Sequence, residues 1–158
     1  MIHPPNSEAR RALAMLPSGV FVVTSSFEGK KGGVLVKSVM PCADEPLLVC
    51  VAAWKGHGIE PLIRDSRHFC VNQIDPDDKL VLRMFQGHIS EHASSFDSLP
   101  TERIVSQSPA IKRALVAIDC EVVRHLDMEA DHELYIGLVL GARVYRQAAA
   151  GAMTNGAK

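Results

Sequence analysis

The residues best equipped for chemistry are the histidines, the acids and the cysteines, and each group points to a reaction that its surroundings then disfavour. His88-Ile89-Ser90-Glu91-His92 has the His-x-x-Glu-His spacing that would set two zinc ligands and a base on one helical turn. Gly87 precedes it, Ser94-Ser95 follows, and no apolar helical stripe surrounds it, so a solvated loop is the better reading. Asp127, Glu129, Asp131 and Glu133 crowd one turn, but a calcium loop needs a glycine at its bend and a spaced bidentate glutamate. A solvated turn is expected there, and no metal site. Cys42, Cys50, Cys70 and Cys120 contain no Cys-x-x-Cys pair, and the last three lie in apolar runs. Free, mostly buried thiols imply a reducing compartment and a cytoplasmic location. Gly-x-Ser-x-Gly, a phosphate-binding P-loop and Gly-x-Gly-x-x-Gly are all missing, which leaves acyl transfer, P-loop chemistry and a Rossmann site unsupported.

The elements that must position any site come from a chain of 158 residues, 47% apolar and 22% charged, enough for one domain with one core. A formal net charge of −1 argues against nucleic acid and against polybasic attachment to membranes. No run approaches the roughly 20 apolar residues of a membrane span. Arg10-Arg11 before Ala-Leu-Ala-Met-Leu superficially resembles an export signal, but Pro17-Ser18-Gly19 breaks the apolar stretch.

Ser7 to Leu16 reads as an amphipathic helix with Ser7 as N-cap. Strands are expected at 20–24, 33–40, 47–53 and 68–74, with a turn over 28–32 and Asp44-Glu45-Pro46 between the second and third. Lys55-Gly56-His57-Gly58 is a loop before a short helix at 59–66. Asp75-Pro76-Asp77-Asp78 has the N-cap, proline and acids of a helix start, running to Phe85. Residues 86–109 read as a long polar loop. Leu115–Leu126 and His132–Arg146 are two long strands; in the second, Leu134, Ile136, Leu138, Leu140, Ala142 and Val144 share one face. The tail over 147–158 has no core potential and is expected to be disordered. Closely spaced strands without regular helix alternation predict a mainly β fold, an antiparallel barrel with a few helices occupying residues 1–146.

Seven segments in order resemble one family. Leu16-Pro17-Ser18-Gly19-Val20-Phe21-Val22-Val23-Thr24 is similar to its opening Pro-Ser-Gly-Val strand. Gly33 to Ser38 stands at its Gly-x-Thr-Ala-Ser-Ser segment, with Leu35-Val36-Lys37 in place of Thr-Ala-Ser. Asp44 to Val51 resembles its Asp-Pro-Pro-Leu-Val strand; Lys55-Gly56-His57 and Phe69-Cys70-Val71-Asn72 resemble its Lys-Gly-His and Phe-x-Val-Asn elements. Asp119-Cys120-Glu121-Val122 and Asp131 to Gly137 resemble the closing Glu-Cys and Gly-Asp-His strands, with Ala130 at the usual glycine. On these segments the chain resembles the flavin reductase-like, FMN-binding split β-barrel proteins, of antiparallel Greek-key type.

The resemblance implies an NAD(P)H:flavin oxidoreductase passing hydride from NADH or NADPH to FMN, or to FAD. It also implies a homodimer and a partner monooxygenase that receives reduced flavin. An FMN-binding electron-transfer protein and a non-redox ligand-binding relative remain alternatives. Phosphate needs cations, hydroxyls or free N–H groups, and the isoalloxazine needs an apolar slot with donors at its reducing edge. The candidates are Val36, Lys37 and Ser38 on the second strand, Trp54, Lys55, Gly56 and His57 around the following loop, and Asn72. Lys55 and His57 would hold phosphate with Gly56 allowing close approach. Lys37 would face the phosphate or the reducing edge, and Trp54 would cover a ring. Asn72 would help shape the pocket. His132 would sit where a nicotinamide stacks and act in hydride transfer.

Overall fold

A computed structural model describes residues 6–86 and 96–147. The His88–His92 motif and the expected disordered tail beyond Gln147 lie outside them. The elements run α1 (Ser7–Ala14), β1 (Phe21–Phe27), β2 (Lys30–Val36), β3 (Ser38–Asp44), β4 (Leu47–Trp54), α2 (Glu60–Ser66), β5 (His68–Gln73), α3 (Lys79–Met84), β6 (Thr101–Glu102), β7 (Ala110–Ile111), β8 (Val116–Asp127) and β9 (His132–Val144).

Seven strands form one antiparallel sheet in the order β2-β1-β5-β8-β9-β4-β3, and β6 pairs with β7 in a small second ladder. Of three hairpins, β1–β2 joins β8–β9 across β5, and β3–β4 joins β8–β9 through the β4–β9 ladder. The edge strands β2 and β3 do not pair with each other, yet only Lys37 separates them in the chain. Two peptide links span at most about 7 Å, so the sheet must roll until its edges meet at Lys37. The result is a split barrel, the mainly β fold expected from the sequence.

Its interior is filled by Val23, Val34, Val36, Val49, Val51, Ile59, Ile63, Phe69, Val71 and Tyr135, with α2 packed against β1 and β2. A Cβ at Gly137 would come within 2.6 Å of Phe69 Cζ, so only glycine lets β9 cross that ring. Outside the barrel Val22, Ile74, Val81, Phe85, Phe96, Leu99 and Ile111 make a second cluster. β1 is therefore buried on both faces, Val23 inward and Val22 outward, which explains its near-continuous apolar run.

Several local expectations are corrected. The single strand over 33–40 breaks at Lys37, because β2 pairs with β1 while β3 pairs with β4. Asn6, not Ser7, caps α1 by accepting from the Glu8 and Ala9 N–H groups, and the helix stops at Ala14. α3 starts at Lys79 with Asp78 as its cap. Asp75 instead closes a separate turn, its carboxylate accepting from the Asp77 N–H and its carbonyl from that of Asp78. The segment after residue 95 is no polar loop: Phe96 and Leu99 are buried and Thr101–Glu102 pairs with Ala110–Ile111. Of the even-numbered apolar residues of β9, Leu134, Ile136, Leu138 and Leu140 point outward and are half-buried, while Glu133, Tyr135 and Gly137 point into the barrel. The ladder shifts register between Asp119 and Cys120, so Ala142, paired with Ile118 of the core side, does not share the face of the leucines. Among the described residues no helix is long and apolar enough to cross a membrane.

Candidate functional site

The sequence candidates gather where β4 leaves the sheet. Trp54 pairs in register with His132 at the start of β9, and their rings stack with centroids 4.2 Å apart at 37°. Trp54 is 45% exposed. The outer face continues downward through Ala52 opposite Leu134, with Ser38 of β3 on the far side of Ala52. Lys37 and Ser38 are exposed at the seam of the barrel. Lys55 follows Trp54, donates its backbone N–H to the Asp131 carbonyl at 3.0 Å, and pairs its ammonium with Asp127. Gly56 adopts φ +74°, a conformation suited to glycine, and a Cβ there would meet nothing within 4 Å. The loop thus leaves its backbone open to a ligand.

His57 turns the other way. It is 3% exposed, and its Nε2 lies 3.1 Å from both Glu133 Oε1 and the Tyr135 hydroxyl. The Tyr135 hydroxyl donates to Glu133 Oε1 at 2.6 Å, and His125 Nε2 sits 2.9 Å from Glu133 Oε2. The His125 and Tyr135 rings stack in parallel at 4.6 Å. Burial lowers the His57 pKa against the pull of Glu133, so the ring is neutral and donates through Nε2. Its Nδ1 is buried with no hydrogen-bond partner. Burial pushes the Glu133 pKa up, but hydrogen bonds from Tyr135 and His125 outweigh it and hold the carboxyl below its ordinary value. Tyr135 is pushed far upward by burial and by Glu133, and stays protonated.

The hairpin acids divide by strand parity. Asp127 and Asp131 face solvent, and each is held below its usual range by a basic neighbour, Lys55 for the first and His132 for the second. Glu129 is exposed at φ 53°. Glu133, read with them as part of a solvated turn, is instead buried inside the barrel. Nothing marked it except its place on β9: a carboxylate and a tyrosine occupy the parity opposite to the leucines. Tyr135 was missed for the same reason, and His125 because only the pairing of β8 with β9 brings it opposite Tyr135.

Asn72 and Val36 stand apart from the surface group. Asn72 is fully buried in β5; its amide donates to the Val22 carbonyl and Thr24 hydroxyl, and its oxygen accepts from the Ile111 N–H at 2.8 Å. Its hydrogen bonds tie β5 to β1 and to β7 and leave it no contact with the exposed group. Val36 is buried in the barrel core one residue before Lys37. A cleft of about 850 Å³ lies elsewhere, between the β1–β2 turn, the end of α2 and residues 101–109. It shares no residue with this group.

The exposed arrangement fits a flavin nucleotide in its donor set. Lys37, Lys55, the Ser38 hydroxyl and the open Gly56 backbone suit a phosphate. The outer surface of Ala52 and Leu134, bordered by Trp54 and His132, suits a planar ring.

The chain is 30% identical over 131 residues to an FMN reductase (NADH), RutF, of Methylorubrum populi, covering 82% of this chain and 63% of that protein. It is 24% identical over 140 residues to diflavin flavoprotein A 1 of Synechocystis, covering 88% of this chain but 24% of that much longer protein. The nitrilotriacetate monooxygenase component B from Mycobacterium thermoresistibile superposes with a TM-score of 0.77 at 26% identity, over 90% of this chain and 78% of that one. Residues 13–156 match the model of the flavin reductase like domain, and the chain belongs to that family.

Proposed function

We propose that the chain is an NAD(P)H:flavin oxidoreductase whose site is the outer surface at Lys37, Ser38, Trp54, Lys55, Gly56 and His132. The observation that carries this is the meeting, on a flavin reductase-like fold, of two exposed cations and an open glycine turn with the paired Trp54 and His132 rings. FMN, or FAD, supplies the hydride-accepting ring, and NADH or NADPH supplies the hydride. The protein's task is positioning. Lys55 and Lys37 hold the phosphate end, Ser38 donates to phosphate or ribityl, and His132 orients the nicotinamide beside Trp54. His57 acts from beneath, and Asn72 and Val36 keep the surrounding strands in place. Hydride transfer needs donor and acceptor atoms about 3–3.5 Å apart and little acid–base help.

A second copy of the chain completes the site. The outer face of β3, β4 and β9 offers Met40, 58% exposed, beside half-buried Leu134, Ile136, Leu138 and Leu140. Every residue of α1 is exposed, and Leu13, Met15 and Leu16 lie uncovered. An apolar sheet face of this kind suits an isologous dimer. The name of component B, a monooxygenase component, supports delivery of reduced flavin to a separate monooxygenase. Free Cys42, Cys50, Cys70 and Cys120 accord with the cytoplasm.

The test is a visible spectrum of protein loaded with FMN, before and after anaerobic NADH or NADPH. Flavin bands that bleach with nicotinamide are the expected result, with turnover of free flavin where retention is weak. Retained flavin that stays oxidised would mark a carrier fed by another donor. Absence of both binding and turnover would reject the redox reading.

A further inference from the structure

We propose that Glu133 is a positioning residue: by holding His57 from inside the barrel it fixes the Lys55–Gly56 loop for the anionic end of the ligand. This rests on the flavin reading above and deepens it.

The loop is fastened to the β8–β9 hairpin at three points. The Lys55 N–H donates to the Asp131 carbonyl, the Lys55 ammonium pairs with Asp127, and the His57 ring bonds Glu133. The two outer partners, Asp127 and Asp131, are exposed, where ion pairs and hydrogen bonds compete with water and contribute little. The third is buried and charge-assisted, so it is the fastening that water cannot replace.

Glu133 has no packing reason to be a carboxylate. It sits opposite Ala53, in a row where Val51 faces Tyr135 and Val49 faces Gly137. A buried charge at this place is unfavourable unless its lone pairs are used, and here they are: Tyr135 and His57 meet one oxygen, His125 the other. Other ionisable groups facing the cluster are Glu60 of α2, near His57, and Arg64 and Arg67, which line the small cavity beside His125 and Tyr135. Three consecutive residues thereby govern three partners: Asp131 holds Lys55, His132 stacks on Trp54, and Glu133 grips His57. The phosphate side and the nicotinamide side of the site hang on one stretch, Asp131 to Glu133, where the turn enters β9.

The experiment uses the whole chain as wild type, Glu133→Ala, Glu133→Gln and His57→Ala, with two readouts. Amide hydrogen exchange reports the Lys55 N–H, bonded to Asp131, and the Glu60 N–H, bonded to the His57 carbonyl. Titration gives dissociation constants for FMN and for riboflavin, which lacks the phosphate. Glu133→Ala is expected to speed exchange at both amides by about tenfold. It should weaken FMN by about fivefold or more while riboflavin changes less than about twofold. Glu133→Gln keeps the oxygen that meets His57 and is expected to restore both readouts at neutral pH. His57→Ala cuts the same link from the other end and decides the matter if Glu133→Ala does not fold. Wild-type exchange in the alanine variants overturns the proposal. Faster exchange with FMN and riboflavin weakened alike, or not at all, overturns the link to the anionic end. A wild-type protein that binds neither flavin fails the parent reading instead, and does so before any variant is compared.

Discussion

Asn72 and His57 were nominated from the same kind of motif, yet the buried clusters around them differ in whether they close. Asn72 donates to Val22 and Thr24 and accepts from Ile111, tying β1, β5 and the segment leading into β8 into one unit with no route to solvent. His57 joins Glu133, Tyr135 and His125, but its Nδ1 is unpartnered and His125 reaches the surface. A closed cluster specifies a fold. An open one couples a surface loop to the interior and can be moved by what happens outside. Residue type alone does not separate the two; the partners do.

The largest effect that would break this contrast belongs to Asn72. Asn72→Ala leaves the Ile111 N–H without its partner in a dry interior, and should cost about 2 kcal/mol of stability. Urea unfolding measures it. FMN affinity per folded molecule should stay within about threefold of wild type, and a large selective loss of FMN would make Asn72 part of the binding surface after all. Next is Lys55→Ala, which removes a cation from the loop. It should weaken FMN by about tenfold and riboflavin hardly at all; equal losses would remove Lys55 from the phosphate end. The smallest effect is a pH dependence. Because the folded pKa of His57 lies below its ordinary 6.5, its contribution to stability is fully present above that pH and is lost as pH falls through the folded value. Glu133, also lowered, adds a further loss below its ordinary 4.5. Thermal melts of wild type should therefore decline from about pH 6.5 downward, and His57→Gln should flatten the upper part of that decline while leaving the part below pH 4.5. A variant whose melts track wild type throughout would show that His57 does not titrate on unfolding.

Much of the fold was legible because strands announce themselves by β-branched runs between turn residues. Phe21–Phe27, Leu47–Trp54 and His68–Gln73 lie close to where those runs placed them. The break at Lys37 was hidden, since nothing local distinguishes one long strand from two that pair with different neighbours. Trp54 and Lys55 were readable as site candidates, and the structure brings both against the start of β9. Glu133 was not. Its neighbours Asp127, Glu129 and Asp131 made it look like one more solvated acid, and only the pairing of Ala53 with Glu133 reveals which way it points. Period two shows that the leucines of β9 share a face; it does not say which face is inside.

The seam at Lys37 has a mechanical consequence. The two border strands of the sheet are neighbours in sequence, so the barrel is a ring fastened by a single residue, with the Gly19 N–H bonded to the Lys37 carbonyl as a brace. Cutting the chain there would leave every ladder intact but free two borders with unpaired amides and carbonyls, a template for strand-by-strand stacking between molecules. The same peptide that offers a cation to solvent is the clasp that keeps the sheet from unrolling.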